Sequence, residues 1–222
     1  MALQTASRGA GLVFFCNPNN PVGTAVNGAD TRAYLSTLLK QSPNTTVLVD
    51  EAYFEYATMP GYETTIPLAV ENPRVVVART FSKCFGMAGL RIGYAIGHKD
   101  TIAALKLTTT SGRLPVTSVA AALAVIEDQA LIKEGVRANG EARAAITKSL
   151  RDLGLSVLHS DTNFILVDVR QKPEEFQAAC KKSNVIVGRP FPGLPTHARI
   201  SIGSLEEMQG AVAVFKAVLT RT

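Results

Sequence analysis

Thr80-Phe81-Ser82-Lys83-Cys84-Phe85-Gly86-Met87-Ala88-Gly89-Leu90-Arg91-Ile92-Gly93-Tyr94 is the stretch whose reading decides the fold. A single lysine stands between small hydroxylated residues and a glycine-punctuated turn, and Arg91 follows eight positions later. The run before it, Arg74 to Ala78, is β-branched in the manner of a buried strand. Arg91 to Gly97 reads as another strand, so Lys83 is expected on a loop between two strands, where a rigid sheet presents reactive groups. A loop lysine is ordinarily a solvated one. Here Phe81, Cys84, Phe85, Met87 and Leu90 surround it with apolar bulk, and desolvation would lower its pKa and free the amine as a nucleophile for a Schiff base. Thr80, Ser82 and Arg91 offer two hydroxyls and a fork of donors, which suits a phosphate.

Working upstream, Gly11 to Phe15 reads as a buried strand stopped by Cys16-Asn17-Pro18-Asn19-Asn20-Pro21-Val22-Gly23, a turn fixed by two prolines and a glycine. Ala29 to Lys40 carries apolar residues at helical spacing with Asp30 near its start, and Gln41 to Asn44 breaks it. Thr46 to Val49 is again a buried-strand run and ends on Asp50-Glu51-Ala52-Tyr53. Strand, helix, strand is the pattern of a mostly parallel sheet covered by helices on both faces. Ligands to such sheets bind beyond the carboxyl ends of the strands, and Asn20, Asp50 and Lys83 all fall there. Asp50, the first polar group off a buried strand, needs a partner for its carboxylate.

A Schiff-base lysine beside a phosphate site describes a pocket for pyridoxal 5'-phosphate (PLP). Thr80 to Tyr94 resembles the lysine segment of fold-type I PLP-dependent aminotransferases of class I/II, and is most similar to that of the histidinol-phosphate aminotransferase group. The resemblance implies that Lys83 binds the cofactor and acts as general base and acid, and that Thr80, Ser82 and Arg91 anchor its phosphate. Asp50 would pair with the pyridine nitrogen, while Asn20, in an Asn-Pro-x-Gly turn, and Tyr53 would bond the phenolic oxygen. Val22 stands where the family usually has Thr. Ala198-Arg199-Ile200-Ser201-Ile202-Gly203 resembles the family's Leu-Arg-Ile-x-x-Gly, whose arginine clamps the substrate carboxylate. Glu51, Glu55 and Tyr56 read as structural or rim residues.

The implied reaction is transamination of an amino acid or amino-alcohol phosphate, of histidinol-phosphate or aromatic type, with a 2-oxo acid such as 2-oxoglutarate. Alternatives are a PLP-dependent decarboxylase of the same fold and an inactive truncated remnant. Val187-Gly188-Arg189 lies where histidinol-phosphate enzymes carry Val-Arg, and a one-residue step on a strand would turn Arg189 to the other face. The resemblance covers nearly all of the chain but only the later part of the family. A fragment is therefore expected, without the first strands and glycine-rich turn of the large domain.

The rest of the chain fits that plan. Pro60 to Pro73 reads as loop with an apolar patch at Ile66 to Val70. Helices are expected at Thr101 to Leu107, at Val116 to Ile126 after Pro115, and at Leu131 to Leu153, the last interrupted by Gly135 and Gly140. Leu155 to Leu158, Asn163 to Val169, Val185 to Val187 and Ala198 to Gly203 read as strands, with a helix from Pro173 to Lys182. A closing helix runs from Ser204 to Leu219, opened by a capping box with Glu207. The division expected is a partial PLP-binding large domain over 1–130, a connecting helix over 131–153 and a small α+β domain over 154–222.

A hydrophobic fraction of 46% over 222 residues is a globular composition. The net charge of +5 is dispersed, with no basic run beyond Lys181-Lys182, which argues against nucleic acid and fits anionic substrates. Three cysteines without CxxC spacing argue against a disulfide framework or a metal site and favour a reducing compartment, here the cytoplasm. No stretch reaches the length of a membrane span. The family resemblance further implies a homodimer and a place in amino-acid biosynthesis.

Overall fold

The computed structural model describes residues 9–108 and 114–220. Contacts divide the chain into two compact units: one holds residues up to Pro18 and Ala25–Ile132, the other Asn19–Thr24 and Lys133 onward.

The first unit is built on a four-stranded sheet. Strand β1 (Leu12–Cys16) is followed by helix α1 (Gly28–Gln41), β2 (Thr46–Asp50), helix α2 (Ile66–Glu71), β3 (Val75–Thr80) and β4 (Gly93–Gly97). Helices α3 (Lys99–Thr108) and α4 (Val116–Glu127) complete its described elements, and α5 (Gln129–Asp152) begins in it. The strand order is β1-β2-β3-β4; β1, β2 and β3 are parallel and β4 returns antiparallel to β3. Gly93 is required at that return, because a Cβ there would lie 2.7 Å from the Arg79 carbonyl oxygen.

Alternation along the strands sends Val13, Phe15, Val47, Val49, Val75 and Val77 to one face, where Leu35, Leu38 and Leu39 of α1 and Ala69 of α2 cover them. Leu12 and Phe14 point to the other face and are 62% and 60% exposed. The burial expected of β1 therefore holds for one face only. Edge position and period-two alternation explain the difference.

Helix α1 is closed at both ends by side chains. Asn27 caps its start by accepting from the Asp30 N–H. Arg74 caps its end, donating to the carbonyls of Leu39 at 2.8 Å and Ser42 at 3.0 Å, and reaching Thr45 at 3.4 Å. The region 60–73 is not all loop: Ile66 to Glu71 form a helix, with Pro67 in its first turn, where a missing N–H costs nothing. Its Ile66, Leu68 and Ala69 pack on the core, which is why a six-residue helix holds.

The second unit is a three-stranded antiparallel sheet of β5 (Ser156–Val157), β6 (Phe164–Asp168) and β7 (His197–Ser201), in that order. Helices α6 (Pro173–Lys181) and α7 (Leu205–Leu219) and the later part of α5 pack around it. Ala142, Ile146 and Leu150, four residues apart on α5, join Ile165, Val167, Phe176 and Phe215 in the core. Gly135 and Gly140 do not interrupt α5, which is continuous over 24 residues. Ser204 and Glu207 form the expected capping box.

Val185 to Val187 is not a strand. The Gln177 side-chain amide takes the place of a ladder partner, donating to the Val187 carbonyl at 2.9 Å and to that of Gly188 at 3.3 Å. The basic residues that give the chain its charge are partly spent in the same way. Arg143 donates to the Thr162 carbonyl and Arg151 to that of Val157, as Arg74 does for α1.

Candidate active site

In the first unit, the ends of β2 and β3 bring together the acid, the phenol, the hydroxyls and the lysine. Asp50 is the last residue of β2 and Thr80 the last of β3. Asp50 Oδ1 accepts from the Ala52 N–H at 3.0 Å, which turns the chain sharply off the strand and into a short 3-10 turn at Phe54–Tyr56. Tyr53 is buried on that turn, and Lys83 Nζ lies 5.2 Å from the centre of its ring. The Lys83 charge also acts on Asp50. Burial raises the Asp50 pKa above its ordinary 3.8, the Ala52 N–H and Lys83 pull the other way, and Glu51 adds to the rise. A cation held against this carboxylate would offset its desolvation.

The lysine loop is shaped by its own backbone and side chains. Thr80 Oγ1 accepts from the Ser82 N–H at 3.0 Å, the Gly86 N–H closes on the Lys83 carbonyl at 3.0 Å, and Gly86 takes φ +69°. Phe81 and Ile92 are buried with Ala122 of α4, and the partly buried Phe85, Met87 and Leu90 pack against them, so the apolar residues flanking Lys83 form a small core of their own. Arg91 sits in the left-handed region at φ 50°, and its Nη1 donates to the Ala88 carbonyl at 2.8 Å. The strand expected from Arg91 begins instead at Gly93, since this backbone turn precedes it.

Asn20 and Arg199 belong to the second unit. The peptide bonds before Pro18 and Pro21 are both cis. The segment Asn19–Thr24 is tied down by the Asp161 N–H, which donates to the Gly23 carbonyl at 2.8 Å. Gly23 has φ +91°, and a Cβ on it would meet Ser160 Oγ at 2.8 Å, so both conformation and space demand glycine. Arg199 Nη1 donates to Asn20 Oδ1 at 2.7 Å. The Arg199 guanidinium carbon lies 5.0 Å from the centre of the Phe164 ring and 4.8 Å from that of Phe191. Arg189 also lies 4.8 Å from the Phe191 ring. The strand alternation that would have turned Arg189 away does not apply, because its backbone is outside any sheet.

Glu51 and Arg79 are the residues whose connection sequence reading missed. Glu51, expected as a structural or rim residue, is buried at 1% exposure and ion-paired with Arg79. Only the adjacency of Glu51 to Asp50 and of Arg79 to Thr80 could have drawn attention to them. Among the described residues no group of three or more His, Cys, Asp or Glu side chains could hold a metal ion, and no helix is long and apolar enough to cross a membrane.

The chemistry of the donor set fits PLP: an amine, an acid raised by burial and a buried phenol lie together at the ends of β2 and β3, and Thr80 closes β3, while Arg91 is exposed with its guanidinium on the Ala88 carbonyl. Residues 1–215 match the family described as aminotransferase class I and II. A histidinol-phosphate aminotransferase of Halalkalibacterium halodurans is 36% identical over 218 residues, covering 98% of this chain and 58% of the relative. One from Symbiobacterium thermophilum is 37% identical over 218 residues, with 97% and 59% covered. The crystal structure of histidinol-phosphate aminotransferase from Sinorhizobium meliloti, in complex with PLP, superposes with a TM-score of 0.88 at 30% identity, over 99% of this chain and 60% of that one. The chain thus spans a little under three fifths of the length of the curated relatives it matches.

Proposed function

We propose, from the premise that this chain belongs to the aminotransferase class I and II family, that it carries the lysine, acid and carboxylate-binding arginine of a PLP-dependent aminotransferase. The observation that carries this reading is the approach of Lys83 Nζ to the Tyr53 ring, with Lys83 acting on Asp50 from the next strand end. Bound PLP supplies an electron sink conjugated to the nitrogen of the amino donor. Lys83 would hold the cofactor through its amine, and its Nζ would take the proton from the donor's Cα. The Asp50 carboxylate would pair with the pyridine nitrogen, and that cation would offset the cost of burying it. By the family resemblance, Tyr53 and Asn20 would each donate to the phenolic oxygen. Thr80, Ser82 and Arg91 would hold the phosphate, and Arg199 would orient the donor through its anionic group.

The amino donor in this proposal joins an aromatic ring to an anionic group: histidinol phosphate, with aromatic amino acids as the next choice. Phe164, Phe191, Arg189 and Arg199 form a cation–aromatic cluster of that character. Relatives named for histidinol phosphate support the same choice. The acceptor is a 2-oxo acid such as 2-oxoglutarate. With this reading go a large-domain part over 1–130, a connecting helix over 131–153, a small domain over 154–222, and a cytoplasmic homodimer serving amino-acid biosynthesis.

The test is borohydride reduction of the chain with PLP, followed by peptide mass mapping and a screen of amino donors with 2-oxoglutarate. Cofactor mass on the Lys83 peptide, lost in Lys83→Ala together with turnover, is the expected result. Attachment elsewhere, or transamination surviving in Lys83→Ala, would overturn the reading.

A further inference from the structure

The residue after Asp50 and the residue before Thr80 are joined by a buried fork. Glu51 Oε2 accepts from Arg79 Nε at 3.1 Å and Nη2 at 2.8 Å, and from the Thr64 hydroxyl at 2.8 Å. Its Oε1 accepts from the Thr65 N–H at 2.6 Å. Arg79 Nη2 also reaches Thr64 Oγ1 at 3.0 Å, and its guanidinium carbon lies 3.8 Å from the centre of the Phe54 ring. Backbone bonds continue the connection: the Glu51 N–H donates to the Ala78 carbonyl at 2.9 Å, and the Phe54 N–H to the Glu51 carbonyl at 3.1 Å.

Stability is a poor explanation for this pair. Two charges taken out of water regain little over a well-packed apolar pair of the same volume. A bidentate guanidinium–carboxylate fork does fix direction as well as distance, which a lysine or an apolar contact does not. Its two ends are one residue from Asp50 and one residue from Thr80, and the guanidinium carbon lies over the ring of Phe54, the residue after Tyr53.

We propose that Glu51 and Arg79 are positioning residues, which hold the Asp50–Tyr53 turn in register with Thr80 so that carboxylate, phenol and hydroxyl face one ligand. The proposal rests on the reading of that site as the PLP site. Neither residue is assigned a contact with the cofactor.

The test compares the wild-type chain with Arg79→Lys, which keeps the charge and loses the fork. Three quantities are read: the melting temperature, the Asp50 carboxyl resonance titrated by carbon-13 NMR without cofactor, and the affinity for PLP. The charged groups acting on Asp50 are Lys83 and Glu51, both retained in this variant. A melting temperature within a few degrees of wild type is expected, together with a displaced Asp50 titration and a loss of PLP affinity on the order of 10- to 100-fold, the scale seen when a residue that orients a metal ligand is lost. An unmoved Asp50 titration and unchanged affinity in the folded variant would overturn the proposal. Should Arg79→Lys not fold, Glu51→Asp, which keeps the charge acting on Asp50 but shortens the reach to the fork, gives the same two readouts. The Asp50 titration needs no cofactor. If the wild-type chain fails to bind PLP, the functional reading fails while positioning is still decided by that titration.

Discussion

Arg199 Nη1 donates to Asn20 Oδ1 at 2.7 Å, joining two residues 179 positions apart. The bond uses one nitrogen of the fork, and the flanking Phe164 and Phe191 rings restrict how the guanidinium can turn. Arg199→Lys keeps the charge but loses the planar fork. It should lower kcat/KM by about 2–5 kcal/mol of transition-state stabilisation, the scale of a truncated buried charge pair, while PLP still attaches to Lys83. Steady-state kinetics with saturating cofactor measures it, and a change under about threefold would remove Arg199 from donor binding.

Asp50 gives a pH-dependent stability with a definite sign. Burial raises its folded pKa above the ordinary 3.8, so the folded state binds the proton more readily than the unfolded one. Its carboxylate then costs stability at neutral pH, and that cost disappears as pH falls through the raised pKa toward 3.8. Asp50→Asn should therefore melt higher than wild type at pH 7 without cofactor, with the gap closing on acidification. Melting curves across pH 3 to 7 check this on roughly the carboxylate titration range. A gap that widens toward acid would contradict it.

Thiol reactivity should separate the three cysteines. Burial pushes the Cys84 thiol up to about 11, with Glu55 adding to the shift, and burial alone does the same to Cys180, also to about 11. Cys16 is only partly buried, and its Sγ approaches the Pro18 carbonyl at 3.3 Å. Iodoacetamide at neutral to mildly alkaline pH should modify Cys16 first in the native chain and all three in denaturant. Mass spectrometry of the labelled peptides decides it; Cys84 reacting as fast as Cys16 would show its burial to be wrong.

Arg74→Met retains the stem and removes the donors that close α1. The expected loss is about 1.5–3 kcal/mol, the range for hydrogen bonds to a charged group. Urea unfolding should show a lower midpoint at unchanged slope for the unit containing α1. An unaltered midpoint would mean that water satisfies those carbonyls equally well.

Much of the fold is written locally. The valine-rich runs at 47–49 and 75–77 can bury both faces only in a covered sheet, and they form β2 and β3. Ser204 with Glu207 marks a helix start without any tertiary information. Ile66 to Glu71 escaped because six residues are too few for periodicity to speak, and only packing on the core stabilises them. Val185 to Val187 has strand composition, yet Gln177, on α6, takes up the carbonyls that a neighbouring strand would have used. The proposed site divides along the same line: Lys83 and its hydroxylated neighbours are legible in one stretch, while nothing local ties Asn20 to Arg199.

The sequence by itself determined the parallel β–α–β order, the glycine-shaped lysine loop and the family, because each depends on residues close together in the chain. Tertiary structure alone decided that Arg79 closes on Glu51, that Arg199 meets Asn20, and that Arg189 and Arg199 share the Phe191 ring. Those pairings depend on where distant segments return in space. Side-chain direction at such returns is set by sheet register and turn geometry rather than by composition.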